Sequence, residues 1–220
     1  ILKNINIKNT RILDIGGNTG YFTFELIDRG ARTVHYYEGN RTHARFVSSA
    51  AKALNLENKI EIHNEYFTFT NKSDKYDVTL VLNVLHHVGD DYGDSELSME
   101  KAKENIIEHL NFLADITEIM VFQMGFNWKG NKELGLFKNG TKAEMIEFIQ
   151  EGIKNFWEIY KIGIAECRNG LIEYNDLNKM NISRWDYLGE FLNRPIFIMK
   201  SLKNKTDTKI QPVNDKAIWE

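Results

Sequence analysis

Cysteine is nearly absent from this chain. Cys167 stands alone among 220 residues, which excludes an internal disulfide and any zinc site built on several cysteines, and fits a reducing compartment, so a cytoplasmic address is the default expectation. Proline occurs only at Pro195 and Pro212, leaving glycine and asparagine to carry the turn signals. Long apolar runs are missing too. Val78 to Leu82 and Ile196 to Met199 are the longest, far short of the roughly 18 residues that span a bilayer, so no transmembrane segment is expected. Nor is there an excess of basic charge: 28 Lys and Arg against 31 Asp and Glu give a net charge of −3. Binding to duplex nucleic acid needs clustered cations that displace counterions, so it is not expected.

What is present suffices for a packed core: hydrophobic residues make up 42 % of the chain and charged ones 27 %, outside the range of disordered sequences. The length suits one domain, taken as residues 1–203, followed by a polar tail over 204–220. The chain begins on Ile1 rather than Met, so a further domain joined to this piece is expected.

Strand and helix patterns alternate along the chain. Arg11 to Ile15 reads as a strand, Tyr21 to Asp28 as a helix, Thr33 to Tyr37 as a second strand and Thr42 to Leu54 as a second helix. Ile60 to His63 then reads as a third strand. Val78 to Leu82 is almost continuously apolar, as for a strand covered on both faces at the centre of a parallel sheet. Met99 to Ala114 carries Ala102, Ile106, Leu110 and Leu113 on one stripe, and Glu118 to Gln123 follows as a strand. A helix starts near Thr141 with Glu144 as its capping-box partner, and Trp157 to Ile164 and Ile196 to Leu202 close the series as two strands. The expected fold is α/β, with a doubly wound, mostly parallel sheet of seven strands whose last strand is antiparallel.

The most informative segment is Asp14-Ile-Gly-Gly-Asn-Thr-Gly20, set between a strand and a helix. Glycines here let backbone approach a ligand closely. A dinucleotide fingerprint would place glycines where Asn18 and Tyr21 stand, which disfavours NAD. Glu38 closes the next strand, where a carboxylate can accept hydrogen bonds from both hydroxyls of a ribose and leaves little room for a 2′-phosphate.

With these residues in view, the sequence resembles the class I S-adenosylmethionine-dependent methyltransferases. Their first motif, D/E-x-G-x-G-x-G, stands here as Asp14, Gly16, Asn18 and Gly20, with asparagine in place of the middle glycine. The resemblance implies S-adenosylmethionine as cofactor, held by Asp14, Gly16, Gly17, Asn18, Gly20 and Tyr21, by Glu38 and Gly39 at the ribose, and by Asn64, Glu65 and Tyr66 beside the adenine. Asn83 and Val84, at the end of the fourth strand, match the place where the family holds the methionine portion.

At the reacting end, His86 and His87 follow that strand, where a base with a pKa near neutrality would take a proton from a hydroxyl acceptor. Adjacent residues point in different directions, so one of the two is expected to face the pocket and the other to pack. Arg184, Trp185 and Arg194 precede the last strand and offer a guanidinium and an aromatic face for an acceptor sugar or phosphate. Asp90, Asp91 and Asp94 beside His87 could gather a divalent ion, yet acids next to Gly89 and Gly93 are ordinary turn residues, and no metal is expected. The stretch Leu85 to Phe122, with Asn193-Arg-Pro-Ile-Phe197, is similar to methyltransferase domains that modify bacterial surface polysaccharides. That likeness implies a sugar hydroxyl, a sugar-linked phosphate or another small molecule as acceptor. Methylation of RNA or protein would call for a basic groove or an added module. A cofactor-binding domain without turnover is the remaining alternative.

Overall fold

A computed structural model of the chain describes residues 5–204; the tail expected over 204–220 lies, from 205 on, outside the described residues. The strands are β1 (Arg11–Ile15), β2 (Thr33–Tyr37), β3 (Ile60–His63), β4 (Tyr76–Leu82), β5 (Thr117–Gln123), β6 (Trp157–Arg168), β7 (Leu171–Asp176) and β8 (Ile196–Ser201). The helices are α1 (Tyr21–Asp28), α2 (Arg41–Ala53), α3 (Met99–Leu113), α4 (Lys142–Ile153) and the single turn α5 (Gly189–Asn193). One sheet joins all eight strands in the order β3-β2-β1-β4-β5-β8-β6-β7. β3, β2, β1, β4 and β5 run parallel, and β8 enters antiparallel between β5 and β6.

The doubly wound sheet with a reversed last strand is as the sequence predicts, but it has eight strands rather than seven. The extra one is β7. It pairs with β6 from Arg168↔Leu171 to Gly163↔Asp176, and the two-residue turn between them is Asn169-Gly170, with φ of 51° and 78°. Positive φ at both positions gives a turn whose twist matches paired strands, which is why Asn-Gly is a strong hairpin signal. The strand itself escapes a pattern reading because it is largely exposed and carries no apolar alternation.

Two layers of helices flank the sheet. Leu26 and Ile27 of α1 and Ala44, Val47 and Ala51 of α2 pack on Ile12, Val34, Tyr36, Val78 and Leu80. On the other face, Ala102, Ile106, Leu110 and Leu113 of α3 and Met145 and Ile149 of α4 cover Leu13, Val81, Met120, Phe122 and Phe197. All seven residues of β5 are buried, as expected of a strand covered on both sides. α4 starts at the predicted capping box: the Thr141 hydroxyl accepts from the Glu144 N–H and the Glu144 carboxylate from the Thr141 N–H. This layering leaves the C-terminal ends of β1, β2 and β4 opening onto one crevice, where open α/β sheets bind ligands. Among the described residues, no helix is long and apolar enough to cross a membrane.

Candidate active site

A cleft of about 590 Å³ opens at those strand ends, within the range of small-molecule sites. Its floor is the loop after β1. Gly16, Asn18 and Gly20 hold φ of 69°, 50° and 79°, the left-handed region that glycine and asparagine tolerate best. Asparagine at the family's middle-glycine position therefore preserves the backbone the loop requires. Close approach also requires glycine: a Cβ on Gly16 would lie 2.5 Å from Val84 Cγ2, and one on Gly17 would lie 2.5 Å from the Tyr36 ring.

The backbone donors of the loop are already engaged. The N–H groups of Gly16 and Gly17 donate to Tyr37 O at 2.9 and 3.2 Å, and that of Gly20 to Gly17 O at 2.9 Å. Asn18 N–H donates to Glu38 Oε2 at 2.9 Å and Thr19 N–H to Asn18 Oδ1 at 2.7 Å, while the Tyr36 hydroxyl donates to Asn18 O. A loop with these five N–H groups engaged is preformed, and it does not present the row of free donors that cradles a phosphate. Glu38 sits opposite. Its Oε1 accepts from Asn40 N–H at 2.7 Å and its Oε2 from Asn18, so each oxygen has accepting capacity left toward the cleft.

Asp14 is buried behind the loop, 3 % exposed, and its Oδ2 accepts from Thr23 Oγ1 at 2.6 Å. It therefore ties β1 to α1 through its side chain. Burial raises its carboxyl from 3.8 to about 6; the Thr23 hydroxyl pulls it down and the charge of Glu38 adds to the rise.

Of the other predicted cofactor residues, Tyr21, Gly39, Glu65, Tyr66, Asn83 and Val84 line the cleft. The Tyr66 ring lies where a Cβ on Gly39 would stand, which explains the glycine. Asn64 instead braces β2 from outside, its Nδ2 donating to Glu38 O at 3.1 Å, and Gly20 serves as the N-cap of α1.

The two histidines take different places. Leu85–His87 form a 3-10 turn after β4. His87 lines the cleft. His86 is 1 % exposed, its ring 4.3 Å from that of His87, and it packs where a Cβ on Gly125 would stand. Burial, then the charges of His87 and Arg194, push its pKa down to about 3, so it stays neutral. Next to His87 in the chain, Val88 O accepts the indole N–H of the buried Trp128 at 2.6 Å. Asp90 and Asp91 bring carboxylates to 3.7 and 3.6 Å from His87 Nδ1. The ligand atoms of His87, Asp90 and Asp91 lie within 4.8 Å of one another, whereas the Asp94 carboxylate accepts from Glu96 N–H in a turn.

Arg184, Trp185 and Arg194 do not line the cleft. Arg184 donates to Gly140 O at 3.0 Å and pairs with Asp186. Trp185 is held through its backbone by Asn193. Arg194 joins a polar network across the strand ends, donating to Asn83 Oδ1 and to Glu190 Oε1, each at 2.8 Å. Asn83 in turn donates to Gln123, and Gln123 to Arg194 O. The neighbouring Phe191 of α5 supplies the wall instead. Tyr92, Phe67 and Phe69, which the sequence reading passed over, also line the cleft. Their signal was an aromatic cluster in loop segments, with Phe69 stacked on His109 at 3.9 Å.

A reversed strand set between the fifth and sixth, over a glycine loop that faces an acid at the end of β2, defines the class I S-adenosylmethionine-dependent methyltransferase fold. Solved structures share it. WbdD, a bifunctional kinase-methyltransferase, matches with a TM-score of 0.55 and 14 % identity over 92 % of this chain, which spans 38 % of the WbdD chain. Magnesium protoporphyrin IX methyltransferase from Synechocystis PCC 6803, solved with bound S-adenosylmethionine, matches with a TM-score of 0.51 and 14 % identity over 89 % of this chain and 71 % of that one. No protein-family model matches the sequence, and neither does any curated protein.

Proposed function

We propose that the protein is an S-adenosylmethionine-dependent methyltransferase that methylates an oxygen of a sugar or another small molecule, in the making of bacterial surface polysaccharide. One observation carries the cofactor: Glu38 faces the cleft with accepting capacity for a ribose diol, across a loop whose own N–H groups are already engaged. That donor set suits an unphosphorylated nucleoside and not a pyrophosphate.

Gly16, Gly17 and Asn18 would lie against the cofactor, with Glu38 at the ribose, Glu65 and Tyr66 beside the base, and Asn83 and Val84 at the amino-acid end. When bound, the cofactor supplies a methyl group whose bond to a sulfonium breaks, the electron pair going to sulfur, as the acceptor's bond to carbon forms. The protein contributes orientation and exclusion of water, since in-line attack needs the acceptor about 3 to 3.5 Å from the methyl carbon. Phe191 and Tyr92 would wall that end with apolar surface, and His87 offers a base there. The polysaccharide setting is supported by the resemblance of residues 85–122 and of the segment ending at Phe197 to domains of that role. A likeness in fold to a kinase-methyltransferase agrees with it.

Incubation with methyl-labelled S-adenosylmethionine and a bacterial glycan pool tests the reading. Label in the glycan is the expected result. Cofactor binding with no transfer to any glycan would reject the polysaccharide setting.

A further inference from the structure

The cleft carries charge of one sign. Glu38, Glu65 and Asp91 line it, with Asp14 buried behind the loop, and among the lining residues there is no Lys or Arg, although the chain has 28 of them. The two arginines that the sequence offers as oxyanion clamps are committed elsewhere, Arg194 to Asn83 and Glu190, and Arg184 to Gly140 and Asp186. At the acceptor end, Asp91 and His87 face the cleft, and both Asp90 and Asp91 are tied to the histidine through its backbone. Their N–H groups donate to His87 O at 3.0 and 3.2 Å, which sets both carboxylates beside Nδ1.

We infer that the acceptor reacts through a group that still carries a proton, a hydroxyl or amine on a non-anionic molecule, and that Asp90 and Asp91 are positioning residues that hold His87 to receive that proton. This rests on the methyltransferase reading; it excludes an anionic acceptor and admits an amine beside the hydroxyl. A phosphate needs a cationic clamp and brings its own charge against a wall of carboxylates, so the wall rejects it by repulsion. It also has no proton to give up at neutral pH and would leave the histidine idle. A hydroxyl or amine, in contrast, must lose one. From a hydroxyl, the proton passes to the imidazole as the oxygen bonds carbon with the electron pair it keeps; a neutral amine bonds carbon with its lone pair, and the imidazole takes the proton that the resulting ammonium sheds. The imidazolium that results is stabilised by the carboxylates 3.7 and 3.6 Å from its Nδ1.

The test offers the protein labelled cofactor together with a neutral methyl glycoside, an amino glycoside and the matching glycosyl phosphate, removes unreacted cofactor by reversed-phase chromatography, and separates the products on an anion exchanger. In parallel, calorimetry follows S-adenosylhomocysteine, and then inorganic phosphate against the protein saturated with it. Label in the unretained fractions, with no saturable phosphate heat, is the expected result. Label in the retained fraction, saturable phosphate binding, or no label in any fraction while S-adenosylhomocysteine binds, each overturns the inference. Failure of S-adenosylhomocysteine to bind would instead overturn the reading beneath it. Changing Asp90→Asn and Asp91→Asn together should lower kcat at least tenfold, with S-adenosylhomocysteine affinity within twofold of the parent and turnover returned by Glu at both positions. An unchanged kcat removes the carboxylates from this role, as does a rate abolished by a chelator and restored by magnesium, which would make them metal ligands.

Discussion

Asp14 shows how one buried side chain serves the loop and sets a pH dependence. Its folded-state value of about 6 lies above the 3.8 of an exposed carboxyl, so the stability it contributes is complete below about pH 4 and lost as pH rises through 6. Asp14→Asn retains an oxygen to accept from Thr23 and removes the titration. Relative to the parent, the variant should gain about 2 kcal/mol between pH 4 and pH 7, as measured by urea denaturation at both ends; parallel pH profiles would show that the carboxyl is not strained by burial. At this scale the sequence was most legible where chemistry restricts residue choice. Gly16 and Gly17 leave no room for a Cβ, Asn18 fits a left-handed position, and Glu38 ends a strand beside the loop. Arg184, Trp185 and Arg194 were not legible, because a guanidinium that clamps a ligand and one that binds Glu190 and Asn83 look the same in a sequence.

The elements were legible wherever a period or a cap was written into them. The capping box of α4 predicts its start and the apolar run of β4 its end at Leu82, though the strand begins two residues before that run, at Tyr76. β7 does not, because an exposed edge strand needs no alternation, although Asn169-Gly170 marks its turn. Lys142 was hidden for a different reason. It is fully buried at the first position of α4, and its ammonium donates to Asn181 O at 3.1 Å and Ser183 O at 2.9 Å. Those bonds pin the segment after β7 onto the helix, and no pattern reveals a lysine that faces inward. Lys142→Met should cost about 1.5–3 kcal/mol, since it leaves two carbonyls without their charged partner. Chemical denaturation checks the value, and a cost near zero would mean that the carbonyls find other donors.

Across the whole molecule, the topology brings the ends of β1, β2 and β4 to one crevice, while the switch of direction at β8 places α5 and Phe191 on its rim. The fold class was readable in advance because strands alternate with helices in sequence. The composition of the cleft wall was not, since Asp91 and Tyr92 share one cleft with Phe191 only after the chain has crossed the sheet. Buried histidines shape the global pH response. Burial lowers His86 to about 3 and His109 to about 4, so the stability each contributes is present above pH 6.5 and lost as pH falls toward those values. Asp14 opposes them over part of that range. The melting temperature should therefore decline from pH 6.5 toward pH 4.5, and a rise over that interval would mean that Asp14 outweighs both histidines.

The central claim is that the crevice holds an adenosyl sulfonium with its ribose on Glu38. Calorimetric titration of S-adenosylmethionine into the parent protein and into Glu38→Ala tests it most directly. One saturable site is expected for the parent, weakened by about 1 to 3 kcal/mol in the variant through loss of the ribose hydrogen bonds. Equal affinity in both proteins, no binding in either, or saturable binding of NAD in place of S-adenosylmethionine would contradict it.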